Sequence, residues 1–314
     1  MTRWAASDMP DQTGRTVVVT GANSGLGLAS AEAFAGRGAA VVLACRDARR
    51  AETARATVAA AATGPAPTVV SLDLADLASV RKAADEIADR CGRVDVMMNN
   101  AGVMAPPLQR TADGFEMQFG TNHLGHFALT GLLLPTLLRA DRPRVVTTSS
   151  LMHRRADDRW DDPNAETSPY DRWVAYARSK LANLLFMREL GRRAREAGCD
   201  LVSAAAHPGY AATDLQRHTA RLTGGWLLSR VAGAMVAVGG TLVAQPAAAG
   251  ALPQLYAATM PEVGSGDYFG PRGPLEVRGA PAPARLSRDA RDEAAARRLW
   301  ALSEELTGVA YPWP

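Results

Sequence analysis

Six short apolar runs, Thr16–Thr20, Ala40–Cys45, Thr68–Leu74, Val94–Asn99, Arg144–Ser150 and Leu201–Ala206, alternate with segments long enough to form helices. Parallel strands need crossovers of that length, and strands apolar on both faces are those buried from both sides. The alternation predicts an α/β fold: one doubly wound parallel sheet covered by helices on each face. The first crossover carries Leu26, Ala29, Ala33 and Phe34 on one face and stops at Gly36-Arg37-Gly38. Asp76 opens a second helix towards Arg90, with Val80, Ala83, Ala84 and Ile87 as its buried stripe. No repeat, low-complexity tract or linker interrupts the pattern, so residues 1–314 read as a single domain. Within 264–314, the Pro/Gly-rich stretch 264–285 reads as a surface excursion before a final helix over Ala290–Leu306.

Between the first strand and its helix stands TGANSGLG, residues 20–27. Gly21, Gly25 and Gly27 remove side chains where backbone N–H groups could approach a ligand, and the helix N-terminus beyond them favours negative charge. A phosphate-bearing ligand fits that description. The chain has 314 residues and is 47% hydrophobic, enough for a sizeable core, and its net charge of +3 is spread without a basic stripe. That distribution argues against a nucleic-acid partner. Three cysteines, Cys45, Cys91 and Cys199, form no metal-type pair and suit a reducing, cytoplasmic compartment. The N-terminal residues contain no apolar signal-like core, and the most apolar stretch, 225–244, includes Arg230 and four glycines, so no membrane span is expected.

Ligands of open parallel sheets bind outside the carboxyl ends of the strands. The expected strand ends carry the glycine loop, Cys45-Arg46-Asp47, Asp73-Leu74, Asn99-Asn100-Ala101-Gly102, Ser149-Ser150 and His207-Pro208-Gly209. Tyr176 and Lys180, in YARSK, share one face of a helix that follows the fifth strand. A free phenol ionises near pH 10; a neighbouring ammonium would favour the phenolate and bring proton exchange into a useful range. Tyr176 is therefore the candidate acid/base and Lys180 its tuner. Arg46 precedes Asp47 at the tip of the second strand, where an Arg suits a 2′-phosphate and an acid a ribose 2′-hydroxyl. The order favours NADP and leaves NAD open should the strand end one residue later. His123 and His126 lie three apart without a carboxylate–histidine motif, and the acidic pairs at 157–158 and 161–162 lack calcium-loop spacing, so no metal site is expected.

TGANSGLG, NNAG, the serine pair and YARSK, in this order and at these strand ends, resemble the short-chain dehydrogenase/reductase family. The motifs CRD, GTNHLGHF, SSLMH, YARSKLANLLF and HPGYAATDL resemble its retinol-dehydrogenase-like branch, which includes WW-domain oxidoreductases and protochlorophyllide reductases. The resemblance runs from about Thr16 to the terminal helix and is weakest at 151–172 and 210–245. It implies a Rossmann fold and a catalytic set of Asn122, Ser150, Tyr176 and Lys180. In that set Ser150 bonds the reacting oxygen, and Asn122 anchors a water linking Lys180 to solvent. It assigns the cofactor loop to Gly21, Asn23, Ser24, Gly25, Leu26 and Gly27, the adenine to Asp73 and Leu74, and the adenosine ribose to Asn100, Ala101 and Gly102. Tyr176, Lys180, Pro208, Gly209 and Thr213 complete the nicotinamide side.

The expected activity is NADP-dependent interconversion of an alcohol and a carbonyl on a small hydrophobic molecule. The alternatives are reduction of a C=C bond with the same tyrosine and lysine, or a nucleotide-binding regulator without turnover; the regulator is disfavoured because Ser150, Tyr176 and Lys180 are all present. Trp226, Leu227, Leu228, Val231, Met235 and Val236 give 210–245 an apolar face suited to a substrate lid, or to packing on the core or a second subunit. Relatives pair through helices around 113–139 and 173–197, which implies a homodimer or homotetramer. Sequence does not choose the substrate, the direction of reaction or the pathway.

Overall fold

The structure, a computed structural model, describes residues 4–157, 160–210 and 245–314. Six strands, β1 (Thr16–Thr20), β2 (Ala40–Cys45), β3 (Thr68–Ser71), β4 (Val96–Asn99), β5 (Arg144–Thr148) and β6 (Val202–Ala206), match the expected runs in order. They join β7 (Tyr268–Pro271) and β8 (Pro281–Pro283) in one sheet of order β3-β2-β1-β4-β5-β6-β7-β8. All neighbours are parallel except β7 and β8. The helices are α1 (Gly25–Ala35), α2 (Ala48–Ala61), α3 (Leu77–Arg90), α4 (Met117–Phe119), α5 (Gly125–Leu137), α6 (Arg172–Glu196), α7 (Ala247–Thr259) and α8 (Glu293–Thr307). A π turn over Gly120–Leu124 joins α4 to α5.

Alternation along each strand divides the core. Val17 and Val19 pack on one side with Phe34, Val58 and Leu255; Val18 packs on the other with Ile87, Phe127 and Trp300. The α3 stripe Val80, Ala83, Ala84 and Ile87 is buried as the periodicity predicts. In α1 the buried set is instead Gly27, Ser30, Ala31, Phe34 and Ala35. That helix meets both α2 and α7, so small residues rather than the larger Leu26 turn inwards.

The stretch 264–285 departs from the expected surface excursion. Tyr268 and Phe269 are buried, and β7 extends the sheet beyond β6. Its glycine and prolines hid a strand: Gly270 is where His207 lies against the backbone, and any Cβ there would collide with the ring. Pro281 and Pro283 stand on the outer strand, where a missing N–H costs no ladder bond and blunts the edge.

The C-terminus covers α5 and α6. Trp300 stacks on Phe186 at 5.9 Å and meets Phe127 edge-on at 5.0 Å, while Tyr311 donates to the Phe127 carbonyl at 2.8 Å. These helix faces, which the resemblance assigned to subunit pairing, are therefore partly occupied within the chain. Gly131 makes the contact testable, because a Cβ there would lie 2.7 Å from the Tyr311 ring and 2.8 Å from Val309. Helix propensity alone would favour alanine by about 1 kcal/mol. The clash should win, so that Gly131→Ala loses about 1–2 kcal/mol in denaturant unfolding, whereas Gly92→Ala, with nothing near its Cβ, should be close to neutral.

Candidate active site

The glycine loop is built for close approach. Gly21 and Gly25 have φ of +65° and +54°, and a Cβ on Gly27 would run into the Gly21 carbonyl and lie 2.6 Å from Asn100 Nδ2. Ser24 stands at the N-cap of α1 yet makes no side-chain cap bond. The first N–H groups of the helix thus lack that acceptor, which suits a bound phosphate. Asn100 reaches back to the loop, donating from Nδ2 to the Thr20 carbonyl at 2.8 Å. Gln254 of α7 joins these pieces: its Nε2 lies 2.7 Å from Ser30 Oγ and 3.3 Å from Asn100 Oδ1, and its Oε1 accepts from Thr148 at 3.1 Å. The alanine-rich pattern of α7 gave no sign of that role.

At the tip of β2 the two polar residues divide their work. Asp47 caps α2, accepting from Arg50 N at 3.0 Å. Arg46 is 71% exposed, and its guanidinium lies 3.9 Å from Asp73. Asp73 is fixed by the Ala75 N–H at 3.0 Å and by the Ser79 hydroxyl at its own N–H. The Leu74 side chain is buried in the core, and its carbonyl packs against Gly125.

The end of β5 sets the chemistry. The Ser149 hydroxyl donates to the Lys180 carbonyl at 2.9 Å, while Lys180 Nζ and Asn183 Nδ2 donate to the Thr148 carbonyl at 3.3 and 3.0 Å. Ser150, next along, caps a 3-10 turn, its hydroxyl accepting from Met152 N at 3.3 Å, and it lies close enough to the Tyr176 phenol to pull its ionisation downwards. Its main-chain carbonyl accepts from His153 Nδ1 at 2.6 Å. Lys180 Nζ lies 5.7 Å from the centre of the Tyr176 ring. A Cβ on Gly102 would sit 2.9 Å from Asn122 Oδ1 and 3.5 Å from Lys180 Nζ, so only glycine lets the 99–102 turn come this near. Asn122, in the π turn, accepts from Val103 N at 2.7 Å and donates to Val103 O at 3.0 Å and Ser179 Oγ at 2.9 Å.

In the chain without its ligands, burial weighs on both members of the expected Tyr176–Lys180 pair. Burial pushes the phenol up to about 12, with the nearby Ser150 hydroxyl pulling the other way, and burial lowers Lys180 to about 8. In so dry a site desolvation penalises each charge more than their separation repays.

Beyond β6, Gly209 has φ +66°, and a Cβ there would meet the Val277 carbonyl. Gln245 bonds the Pro208 carbonyl through Nε2 at 2.7 Å and the Tyr210 carbonyl through its main-chain N–H at 3.0 Å. Thr213, and all of the expected lid except Tyr210 and Gln245, lie outside the described residues. His123 and His126 diverge, the first towards Ser303 and the second towards Thr20. Among the described residues no cluster of His, Cys, Asp or Glu could hold a metal, and no helix is long and apolar enough to cross a membrane.

The short chain dehydrogenase family model matches residues 15–222. The chain belongs to the short-chain dehydrogenase/reductase family. Its branch is the retinol-dehydrogenase-like one: human retinol dehydrogenase 13 is 42% identical over 95% of this chain and 86% of its own length. Human retinol dehydrogenase 14 is 41% identical over 94% and 87%. An uncharacterised protein of known crystal structure from Mycobacterium paratuberculosis superposes with a TM-score of 0.81 at 43% identity, covering 99% of this chain and 100% of that one. A short-chain dehydrogenase from Escherichia coli CFT073 solved with NADPH has a TM-score of 0.55 at 27% identity, over 66% of this chain and 82% of its own. This member of the family is thus an alcohol/carbonyl oxidoreductase enzyme that binds a nicotinamide cofactor, and a regulator without turnover finds no support.

The buried ammonium has a testable consequence. Lys180 binds its proton less tightly folded, near pH 8, than unfolded, near 10.5, so its cost to stability is full below pH 8 and disappears as pH rises to 10.5. Lys180→Met should therefore be more stable than the parent at pH 7, with the advantage shrinking between pH 8 and 10.5 in denaturant titrations.

Proposed function

We propose that the protein is an NADP-dependent oxidoreductase that interconverts an alcohol and a carbonyl on a hydrophobic small molecule, with Tyr176 as acid/base. The observation that carries this reading is the burial of Tyr176 at the end of β5, with Lys180 Nζ 5.7 Å from its ring and Ser150 beside its phenol. When bound, the cofactor supplies or accepts the hydride. Ser150 and Tyr176 hold the substrate oxygen between two hydroxyls; Tyr176 gives its proton to that oxygen in reduction and takes it back in oxidation. Lys180 replenishes the proton, and the water that links it to solvent falls to the Asn122 main-chain carbonyl, because the Asn122 side chain is committed to Val103 and Ser179.

The preference for NADP rests on Arg46. Its guanidinium is exposed at the tip of β2, while the competing carboxylate of Asp47 is spent on capping α2. The hydrophobic substrate is supported by the retinol dehydrogenase relatives and by Trp173, which lies one helical turn before Tyr176, is 43% exposed and meets its ring edge-on at 6.4 Å. Three thiols without a disulfide fit a cytoplasmic setting.

Fluorescence titration should show tighter binding of NADPH than NADH, with the difference largely erased in Arg46→Ala. With NADPH and all-trans-retinal as probes, Tyr176→Phe should lose at least about a hundredfold in kcat while keeping NADPH affinity. Equal cofactor affinities in the parent would remove the NADP assignment, and near-parental turnover in Tyr176→Phe would remove the acid/base assignment.

A further inference from the structure

His126 stands outside the catalytic set, yet it bridges the two halves of the site. Its ring, 1% exposed, lies 3.0 Å through Nδ1 from the Asn122 carbonyl and 2.9 Å through Nε2 from Thr20 Oγ1. A carbonyl only accepts, so Nδ1 carries the proton and Nε2 must accept. Thr20 then donates its hydroxyl proton to the ring, which leaves its lone pairs for the N–H groups of Asn100 at 2.9 Å and Ala101 at 3.0 Å. On the other side Asn122 Nδ2 donates to Ser179 Oγ at 2.9 Å, and that hydroxyl donates to the Tyr176 carbonyl at 2.8 Å. Two runs of hydrogen bonds, joined covalently through Asn122, thus link the cofactor-side turn, by way of His126, to the backbone of the acid/base residue. Burial, with Lys180 adding to it, lowers the imidazole to about 4, so the ring stays neutral and its donor and acceptor sites do not exchange roles by charging.

We propose that His126 is a positioning residue: by holding the Asn122 carbonyl through Nδ1–H and the Thr20 hydroxyl through Nε2, it fixes the distance between the 99–102 turn and the helix bearing Tyr176 and Lys180. The assignment rests on the roles given above to Asn122 and Tyr176. A planar ring suits the task because its two nitrogens are rigidly spaced. The loss of His126 leaves the cofactor side intact, since Thr20 Oγ1 can donate instead to the Met98 carbonyl, 3.2 Å away, while still accepting from Asn100 and Ala101. The catalytic side has no such substitute: the Asn122 carbonyl loses its side-chain donor inside a turn already released from regular α-helical bonding.

The test separates positioning from packing. His126→Phe keeps the ring volume and removes both bonds, whereas His126→Asn keeps a donor near the Nδ1 position. With NADPH and all-trans-retinal, His126→Phe should bind NADPH within about threefold of the parent but lose on the order of a hundredfold in single-turnover hydride transfer, the scale of a small misplacement of reacting groups. His126→Asn should recover to within about tenfold of the parent, since it restores the bond to Asn122. Parental turnover in His126→Phe, or His126→Asn no better than His126→Phe, would overturn the proposal. Nitrogen-15 NMR of histidine-labelled protein, assigned by the signal missing in His126→Asn, should show the Nδ1–H tautomer; an Nε2–H ring would overturn the bridge. That spectrum needs no substrate and no folded His126→Phe, so a parent inactive on retinal would defeat the substrate assignment while the spectrum still decides this one.

Discussion

The site depends on how α6 is fastened to the end of β5. The Thr148 carbonyl receives both Lys180 Nζ and Asn183 Nδ2, and the Ser149 hydroxyl returns a bond to the Lys180 main chain. Three bonds to two adjacent residues, the last of the strand and the one after it, fix the rotation of the helix about its axis. Tyr176, one turn earlier, must then come up beside Ser150. Asp171 steadies the same helix at its start by accepting from the Trp173 and Val174 N–H groups at 2.7 and 3.0 Å. Because β5 is a central strand, paired on both sides, this anchorage inherits the rigidity of the whole sheet.

The burial that makes the site rigid also sets its electrostatics. A phenol driven up to about 12 and an ammonium lowered to about 8 describe a site that is reluctant to carry charge without its ligands. Such a site is primed for a charged partner, because each charge brought into a dry pocket interacts more strongly there than in water. Gly102 and Gly27 serve the same end by steric means, since they let backbone approach where any side chain would intervene.

The sheet was legible in the sequence because buried parallel strands leave unbroken apolar runs, and the site was legible because such a sheet gathers its strand ends on one edge. Strand β7 escaped notice because Gly270 and Pro271 replace the expected β-branched residues, one to admit His207 and the other near an edge. Gln254 and His126 were invisible as functional residues for a different reason. Gln254 acts through Asn100 and Ser30, more than a hundred positions away, and the bridge made by His126 needs Thr20, also more than a hundred away, as well as the nearby Asn122, and no local pattern records such contacts. Spacing on a helix reports that Lys180 and Tyr176 are near one another, whereas the balance between attraction and desolvation depends on how much water surrounds the pair.

Tyr176, buried beside Ser150 and Lys180, is the proposed proton carrier. Its ionisation is read directly as the near-ultraviolet phenolate absorbance of the parent minus that of Tyr176→Phe. In the free protein the phenol should still be protonated at pH 10, with a midpoint that falls when NADP is added. An ordinary midpoint near 10 that NADP leaves unmoved would contradict that role.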